Sequence, residues 1–139
     1  MITVVGVWEP NWMETVRTEL RLWKQTIQAF EVDVWHMVSK GDVIYSNPIQ
    51  FPTIGEALAA TTGTRVFFIA PGRMPAERTV NWKDLVHPED AVYVFGSSFE
   101  NLVDVAGDDI VCEIRTPGPA TMFGPVVLGI ILADRLAKA

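Results

Sequence analysis

The chain has 139 residues, 49% of them hydrophobic, which is enough for a single domain, residues 1–139, with its own buried core. Its 11 Lys and Arg residues against 17 Asp and Glu residues give a net charge of −6, which argues against binding nucleic acid through overall charge alone. No apolar run reaches the roughly 20 residues that a bilayer requires, and no basic segment precedes the first apolar residues. These features predict a soluble cytoplasmic protein without a membrane partner.

The first half of the chain alternates predicted strands and helices. Ile2–Trp8 is apolar and β-branched, which indicates a buried strand. Asn11 and Glu14 form a capping-box-like pair, which predicts a helix of about eighteen residues. Asp33–Val38 is the second predicted strand, and the capping box that begins at Thr53 predicts a short helix to about Thr61.

The long predicted helix carries two stripes of residues. Its apolar positions are spaced by three and four, which makes a narrow seam suited to packing on another helix. Beside the seam runs the one concentrated basic stripe of this acidic chain, a pattern that most often marks a solvated helix flank. The seam comprises Met13, Val16, Leu20, Trp23, Ile27 and Phe30, and the stripe comprises Arg17, Arg21 and Lys24.

Two polar, turn-rich stretches separate the remaining predicted elements. Gly41–Gln50 holds at most a short strand around Val43–Tyr45, and Gly72–Glu89 reads as a surface excursion with one helical turn at Trp82–Val86. Arg65–Ala70 between them is a further buried strand.

The C-terminal part of the chain contains two short apolar runs and one long one. Ala91–Phe95 and Ile110–Ile114 are predicted buried strands, and Val126–Leu136 after Gly124-Pro125 is a predicted helix with Pro at its first position. The element order β-α-β-α-β-loop-β-β-α predicts a single-domain α/β fold. We expect a mostly parallel sheet with helices on both faces.

Small-residue loops follow the last two predicted strands, which we expect to be adjacent in the sheet, and mark the best candidate site. Gly96–Ser98 follows one strand and Thr116–Pro119 the other, and ligands of open α/β sheets bind beyond the carboxyl ends of strands. Dinucleotide, triphosphate and hydrolase motifs are absent from the sequence. No metal is expected, because His36 has no second ligand at metal spacing. His87 reads as an exposed loop residue, and Cys112 reads as a packed core thiol.

A resemblance to a known family rests on three short motifs. Asn11, Arg17 and Thr18, after a first strand that ends in Glu-Pro, resemble the Asn-x5-Arg-Thr start of the SPOUT superfamily of knotted methyltransferases. The likeness is to the SpoU branch, which methylates RNA ribose 2′-hydroxyls. Val94–Ser97 resembles the second motif of that family, and Ile114–Gly118 with the following apolar helix resembles the third.

The resemblance implies a C-terminal trefoil knot, an RNA substrate such as tRNA or rRNA, and S-adenosylmethionine (AdoMet) as the cofactor. It implies Arg17 and Asn11 as catalytic residues, with Arg17 orienting the nucleophilic hydroxyl or accepting its proton; by the residues alone, Asn11 could equally cap the helix. The implied cofactor contacts are Phe95, Gly96, Ser97, Ser98, Ile114, Thr116, Gly118, Met122 and Phe123.

Two departures from the family pattern leave an alternative open. Ser98 stands where the family usually has an acidic residue, with Glu100 two positions later, and Thr121-Met122-Phe123 stands where the family usually has Ser-Leu-Asn. The alternative is a non-catalytic knotted or Rossmann-like dimer that binds a small molecule or RNA and whose catalytic motifs have decayed.

The apolar seam and the C-terminal helix together predict a homodimer. The C-terminal helix has little polar surface before Asp134, so burying it requires the sheet on one side and a partner on the other. The family resemblance points the same way, because knotted domains pair through these helices. The competing interpretation is that both helices pack only on their own sheet.

Overall fold

The strands carry apolar residues on both faces, as expected of a parallel sheet that is covered on both sides. The computed structural model describes residues 1–7, 13–39, 48–96, 102–118, 122 and 124–139, without the side chains of residues 13–18. Its strands are β1 (Ile2–Val7), β2 (Val34–Val38), β3 (Ile49–Phe51), β4 (Thr64–Ile69), β5 (Val80–Asn81), β6 (Ala91–Phe95) and β7 (Ile110–Glu113). Its α-helices are α1 (Met13–Ala29), α2 (Ile54–Ala59), α3 (Leu102–Ala106) and α4 (Gly124–Lys138), and short 3₁₀ turns span Ala76–Arg78 and Trp82–Asp84.

All seven strands lie in one sheet with the order β3-β2-β1-β6-β4-β7-β5. Every pair of neighbouring strands is parallel. The predicted α/β class is therefore confirmed, and the sheet is parallel throughout its described strands. Parallel neighbours end at the same edge, so the loops that follow the strands collect there.

Helices cover both faces of the sheet and bury two separate apolar layers. Helices α1 and α4 contact each other on one face, while α2 and α3 pack on the other. Side chains alternate between the layers along each strand, as the two-residue period of a strand requires. The α1/α4 layer includes Val4, Trp23, Met37, Tyr93, Phe95, Leu128 and Ile131, and the α2/α3 layer includes Val5, Val38, Leu58, Phe67, Val94 and Leu102.

Three short elements were missed by the sequence analysis. Strands β3 and β5 have three and two residues, too few to show the alternation from which a strand is predicted. Helix α3 has five residues and is followed by Gly107 in the left-handed region, at φ 53°. The predicted order in which β7 directly follows β6 is wrong, because α3 lies between them. Val43–Tyr45 lies outside the described residues.

Several local predictions are confirmed. Thr53 caps α2, and its hydroxyl oxygen accepts the Glu56 backbone N–H at 3.2 Å. Cys112 is fully buried in β7, and burial raises the pKa of its thiol to about 12, so it is a core thiol and no nucleophile. The helical turn predicted at Trp82–Val86 is the 3₁₀ turn Trp82–Asp84.

The prediction that His87 is exposed is wrong, because its ring is held in a polar cluster beside α4. The His87 side chain is only 6% exposed, with Nδ1 2.7 Å from the Tyr93 hydroxyl and Nε2 2.7 Å from Asp134 Oδ2. Arg135, which can only donate, gives a hydrogen bond to the same hydroxyl at 2.9 Å. Tyr93 therefore donates to Nδ1, and His87 donates through Nε2 to the carboxylate.

This cluster fastens the C-terminal end of α4 to the segment before β6. The Arg135 guanidinium also donates to the backbone carbonyls of Pro88 and Glu89, at 2.6 and 3.0 Å. Lys138 pairs with Asp134 at 2.7 Å and donates to the Leu85 carbonyl at 3.0 Å. Cations in the last turn of a helix also suit its dipole, as the sequence indicated.

Asp134 lies at the centre of the cluster. Burial by itself would raise the pKa of its carboxyl, but hydrogen bonds from Lys138 and His87 outweigh burial and hold the pKa below its ordinary value of 3.8. A carboxyl whose pKa is lowered in the folded state stabilises the fold above its unfolded pKa, and that stabilisation is lost as the pH falls through the folded value.

We therefore expect Asp134→Asn to lower the free energy of unfolding at pH 7 by about 2 kcal/mol, the usual cost of losing hydrogen bonds to a buried charge. The difference from the wild type should shrink as the pH falls below about 4. Urea denaturation at a series of pH values measures both effects. Asp108→Asn, at an exposed carboxyl, is the control, and equal stabilities of wild type and Asp134→Asn at pH 7 would contradict the assignment.

Candidate functional site

The carboxyl ends of the central strands meet at one level of the sheet. Phe95 at the end of β6 is in register with Phe68 of β4, and Glu113 at the end of β7 is in register with Ile69 of β4. The loops after β4, β6 and β7 therefore leave the sheet side by side. This edge of the sheet is the candidate ligand site, because ligands of open α/β sheets bind beyond the carboxyl ends of strands.

The two loops proposed from the sequence are not neighbours, which corrects that part of the prediction. Strand β4 lies between β6 and β7, so the loop after β4 occupies the middle of the site. From the sequence, Pro71–Pro75 is predicted only as a loop, with no role in the site. It follows a buried strand just as the other two loops do. Gly72 in this loop has φ +82°, a conformation that glycine adopts without strain.

The described cofactor candidates lie at this edge in two environments. Phe95 is 2% exposed, stacks on Phe68 with ring centroids 4.8 Å apart, and meets Trp23 edge-on at 5.8 Å. Ile114 is buried directly after β7, whereas Thr116 and Gly118 further along this loop are exposed. Gly96 and Met122 are partly buried, and Met122 packs against the α1/α4 layer.

The other candidates lie outside the described residues. These are Asn11, Ser97, Ser98 and Phe123, together with the side chain of Arg17, whose backbone belongs to α1. Residues 119–121 and 123, in the C-terminal part of the chain where the knot is expected, lie outside them as well. The catalytic pair and the knot therefore stay predictions.

The start of α4 is pressed against the carboxyl end of β6. A Cβ atom at Gly124 would lie 2.6 Å from Cζ2 of Trp23 and 3.7 Å from Cβ of Phe95, so a larger residue would overlap the indole ring. A Cβ atom at Gly118 would meet no other heavy atom within 4 Å. Gly124 therefore serves packing, whereas the backbone at Gly118 is open to approach by a ligand.

A buried carboxylate joins two of the three loops. Glu113 is 4% exposed; its Oε1 accepts from Arg115 Nε at 2.8 Å, and its Oε2 accepts the Gly72 backbone N–H at 3.3 Å. Sequence analysis missed this connection, because Gly72 and Glu113 are 41 positions apart. The available signal was a lone acidic residue at the end of an otherwise apolar strand.

Both edges of the sheet carry charges of both signs. The loops after β4 and β7 carry Arg73 and Arg115, and Glu113 beside them is paired with Arg115. The turns before β2, β6 and β7, at the other edge, carry six carboxylates: Glu31, Asp33, Glu89, Asp90, Asp108 and Asp109. Arg78 and Arg135 donate to backbone carbonyls of those turns, so cations lie among these carboxylates as well.

His36 lies in the layer under α2, away from the candidate site. Burial lowers the pKa of its ring, against a raising contribution from a hydrogen bond with the Ala57 backbone. Among the described residues its Nδ1 has no hydrogen-bond partner, although a buried ring nitrogen is expected to have one. In the part of the chain that the structure describes, no group of three His, Cys, Asp or Glu side chains could hold a metal ion. Across the same residues, no helix is long and apolar enough to cross a membrane.

Comparison with known proteins gives matches at the level of structure. No protein-family model and no curated protein sequence matches the chain. The SpoU methyltransferase AviRb from Streptomyces viridochromogenes, in complex with AdoMet, superposes over 98% of this chain and 57% of its own with a TM-score of 0.70 and 12% identity. The AdoMet-bound rRNA methyltransferase from Sinorhizobium meliloti superposes over 99% of this chain and 56% of its own, with a TM-score of 0.68 and 12% identity. The chain shares the parallel α/β fold of these structures.

A third similar structure is shorter. It comes from work on the 2-OH methylation of C/U34 on tRNA, and it superposes over 99% of this chain and 90% of its own with a TM-score of 0.66 and 15% identity. The present chain thus spans a little over half of the two AdoMet-bound proteins and nearly all of the third. The resemblance found from the sequence is confirmed for the fold.

Proposed function

We propose that this chain is an AdoMet-dependent RNA ribose 2′-O-methyltransferase acting on tRNA or rRNA in the cytoplasm. The observation that carries the proposal is the parallel order β6-β4-β7, which brings the carboxyl ends of these strands together, in a chain with the fold of AdoMet-bound RNA methyltransferases. The net charge of −6 is compatible with RNA binding, because exposed charges act locally and the loops after β4 and β7 carry Arg73 and Arg115.

The residues at the candidate site fit a cofactor that is held largely by backbone groups. Gly118 has free space around its Cα, and the same is true of Gly72 in the loop after β4. A ligand can therefore approach the amides and carbonyls of both loops closely. Buried apolar residues at the strand ends, Phe95 and Ile114, provide the floor. The described cofactor residues are Phe95, Gly96, Ile114, Thr116, Gly118 and Met122, and the proposal adds Ser97, Ser98 and Phe123.

AdoMet, when bound, supplies a methyl group on a positively charged sulfur. For its transfer, the ribose hydroxyl would have to give up its proton to solvent water. Arg17 is the proposed residue beside the hydroxyl, with Asn11 near the start of the same helix. A guanidinium stays charged in proteins, so orienting the hydroxyl and stabilising its developing negative charge is the role that suits Arg17 best.

The alternative is a binding protein with the same fold and no transfer activity. The departures at Ser98 and at Thr121–Phe123 favour it, because polar residues typical of the family are replaced there. Both readings share the cofactor site. They differ in what Arg17 does.

The first test concerns the cofactor. Gly118→Val should weaken AdoMet binding by about tenfold or more, because the new side chain occupies space that is open in the folded chain. Isothermal titration calorimetry measures the affinity. Gly55→Val is the matched control, since Gly55 also has open space but lies in α2 on the other face of the sheet. Unchanged affinity in Gly118→Val would place the ligand elsewhere.

The second test concerns catalysis. Arg17→Ala should lower methyl transfer to bulk RNA by about 10²-fold or more and leave AdoMet affinity nearly intact. Arg21→Ala, one turn further along α1, should change the rate much less. Transfer of labelled methyl groups measures the rate. A wild type that binds AdoMet and transfers no methyl group would favour the alternative.

We further propose a homodimer formed through α1 and α4. An open apolar groove of about 440 Å³ runs between them, lined in part by Leu22, Val126, Gly129, Ile130 and Ala133. Leu22 and Val126 are 39% and 45% exposed, and the small residues Gly129 and Ala133 allow another helix to come close.

The residues that face the partner differ from those that the sequence suggested. Trp23 and Ile27 of the apolar seam are buried within the subunit, and so is Leu132 of α4. These side chains hold α1 and α4 to their own sheet. The exposed surface that includes Leu22 and Val126 is the proposed contact with a second copy of the chain.

Val126→Glu should therefore convert a dimer into a folded monomer, because it places a charge in the apolar contact without disturbing the subunit core. Analytical ultracentrifugation should give twice the chain mass of 15.4 kDa for the wild type and the single chain mass for the variant. Ile49→Glu, at a residue that is 57% exposed in the edge strand β3, should stay dimeric. A wild type that sediments as a monomer would contradict the proposed dimer.

A further inference from the structure

Glu113 is a buried carboxylate that the proposed chemistry does not use. It lies at the end of β7, 4% exposed, between Ile69 of β4 and Asn81 of β5 in the sheet register. An ionised carboxylate is retained in such a place only with good partners. Among the described residues each of its two oxygens has one partner, and the two partners lie in different loops.

The first partner is a backbone group of the loop after β4. The Gly72 N–H donates to Oε2 at 3.3 Å, which ties the middle loop of the candidate site to the end of β7. Because a Cβ atom at Gly72 would meet nothing within 4 Å, neighbouring side chains do not wedge this residue in place. The hydrogen bond to Glu113 is therefore a specific attachment of this loop.

The second partner is Arg115, in the loop after β7. Its Nε donates to Oε1 at 2.8 Å, while its side chain is 58% exposed. Among the described residues its two terminal nitrogens have no acceptor. The bond through Nε restricts the plane of the guanidinium and leaves its end-on edge, one N–H from each terminal nitrogen, to match two phosphate oxygens.

We propose that Arg115 binds a phosphodiester of the RNA strand beside the candidate site and that Glu113 is the positioning residue that aims it. This inference rests on the proposed RNA substrate. The same carboxylate also accepts the Gly72 N–H of the loop after β4. Glu113 therefore positions both a loop beside the cofactor site and the proposed phosphate contact. Arg115 thereby gives a negatively charged protein a fixed cationic contact beside its site.

If Glu113 positions Arg115, removing its charge should weaken RNA binding, whereas a change in net charge alone would strengthen it. Glu113→Gln changes the net charge from −6 to −5, so long-range attraction alone should strengthen RNA binding. A glutamine offers one carbonyl oxygen to two donors, Arg115 Nε and the Gly72 N–H, and its amide would oppose one of them. The Arg115 guanidinium would then be held less firmly, so RNA binding should weaken despite the more favourable charge.

The experiment measures binding of a fluorescein-labelled 12-nucleotide oligouridylate by fluorescence anisotropy over a series of KCl concentrations. Arg115→Gln should weaken binding and reduce the slope of log affinity against log salt by about 0.7, the value for one phosphate contact on a single strand. Arg65→Gln is the matched control, because it removes the same charge at the start of β4 and the opposite edge of the sheet. The control should leave the slope unchanged.

Glu113→Gln should bind the oligonucleotide several-fold more weakly than the wild type at the same salt concentration. Asp84→Asn is its control, since it removes an exposed carboxylate just after β5, the strand that pairs with β7. The control should bind as well as the wild type or slightly better. If Glu113→Gln does not fold, Arg115→Lys replaces it: the lysine keeps the charge and loses the fork, so affinity should fall with little change in slope.

Two results would overturn the inference: an unchanged salt slope in Arg115→Gln, or binding by Glu113→Gln that equals or exceeds that of the wild type. A wild type that binds AdoMet but not the oligonucleotide would also overturn it while leaving the cofactor proposal intact. Calorimetry with AdoMet on the same samples keeps the two separate. Failure of the wild type to bind AdoMet would count against the proposed function, whereas a reduced slope would still assign Arg115 to phosphate binding.

Discussion

The packing of one indole ring against two glycines determines how the helices sit on the sheet. A Cβ atom at Gly6 would lie 2.9 Å from Cη2 of Trp23, and one at Gly124 would lie 2.6 Å from Cζ2, so the ring fits only because both side chains are absent. Gly6 belongs to β1 and Gly124 begins α4. The fully buried ring of Trp23 therefore joins α1, the central sheet and the start of the last helix at one point.

This contact links the core to the proposed chemistry. Helix α1 is continuous from Met13 to Ala29, and Arg17 lies six residues before Trp23, about 9 Å along the helix axis. Trp23 also meets Phe95 at the end of β6, where the cofactor loop begins. The backbone that carries the proposed catalytic arginine and the strand that carries the cofactor loop are thus held to the same ring. Any change that moves the ring should alter both.

The sequence predicted elements well where burial produces a long regular pattern and poorly where the contacts are distant. Strands β1, β4 and β6 are apolar on both faces, and this pattern is visible in a short window. The place of β4 between β6 and β7 is set by crossovers that no local pattern records. The contacts of His87 with Asp134 and of Gly72 with Glu113 join residues 47 and 41 positions apart, so neither polar cluster could be identified from the sequence.

The net charge, like a local sequence pattern, does not record where the fold places each residue. It is therefore a poor guide to whether the chain binds RNA. In a parallel sheet all strand starts lie at one edge and all strand ends at the other, so charges in alternate loops are sorted by the fold. Here six carboxylates precede β2, β6 and β7, Arg73 and Arg115 follow β4 and β7, and the acidic Glu56 and Asp84 follow β3 and β5. The charge that a ligand meets therefore depends on which loops it contacts. Since exposed charges more than about 10 Å apart are largely screened at moderate salt, an RNA strand at the loops after β4 and β7 would respond more to Arg73 and Arg115 than to the total of −6.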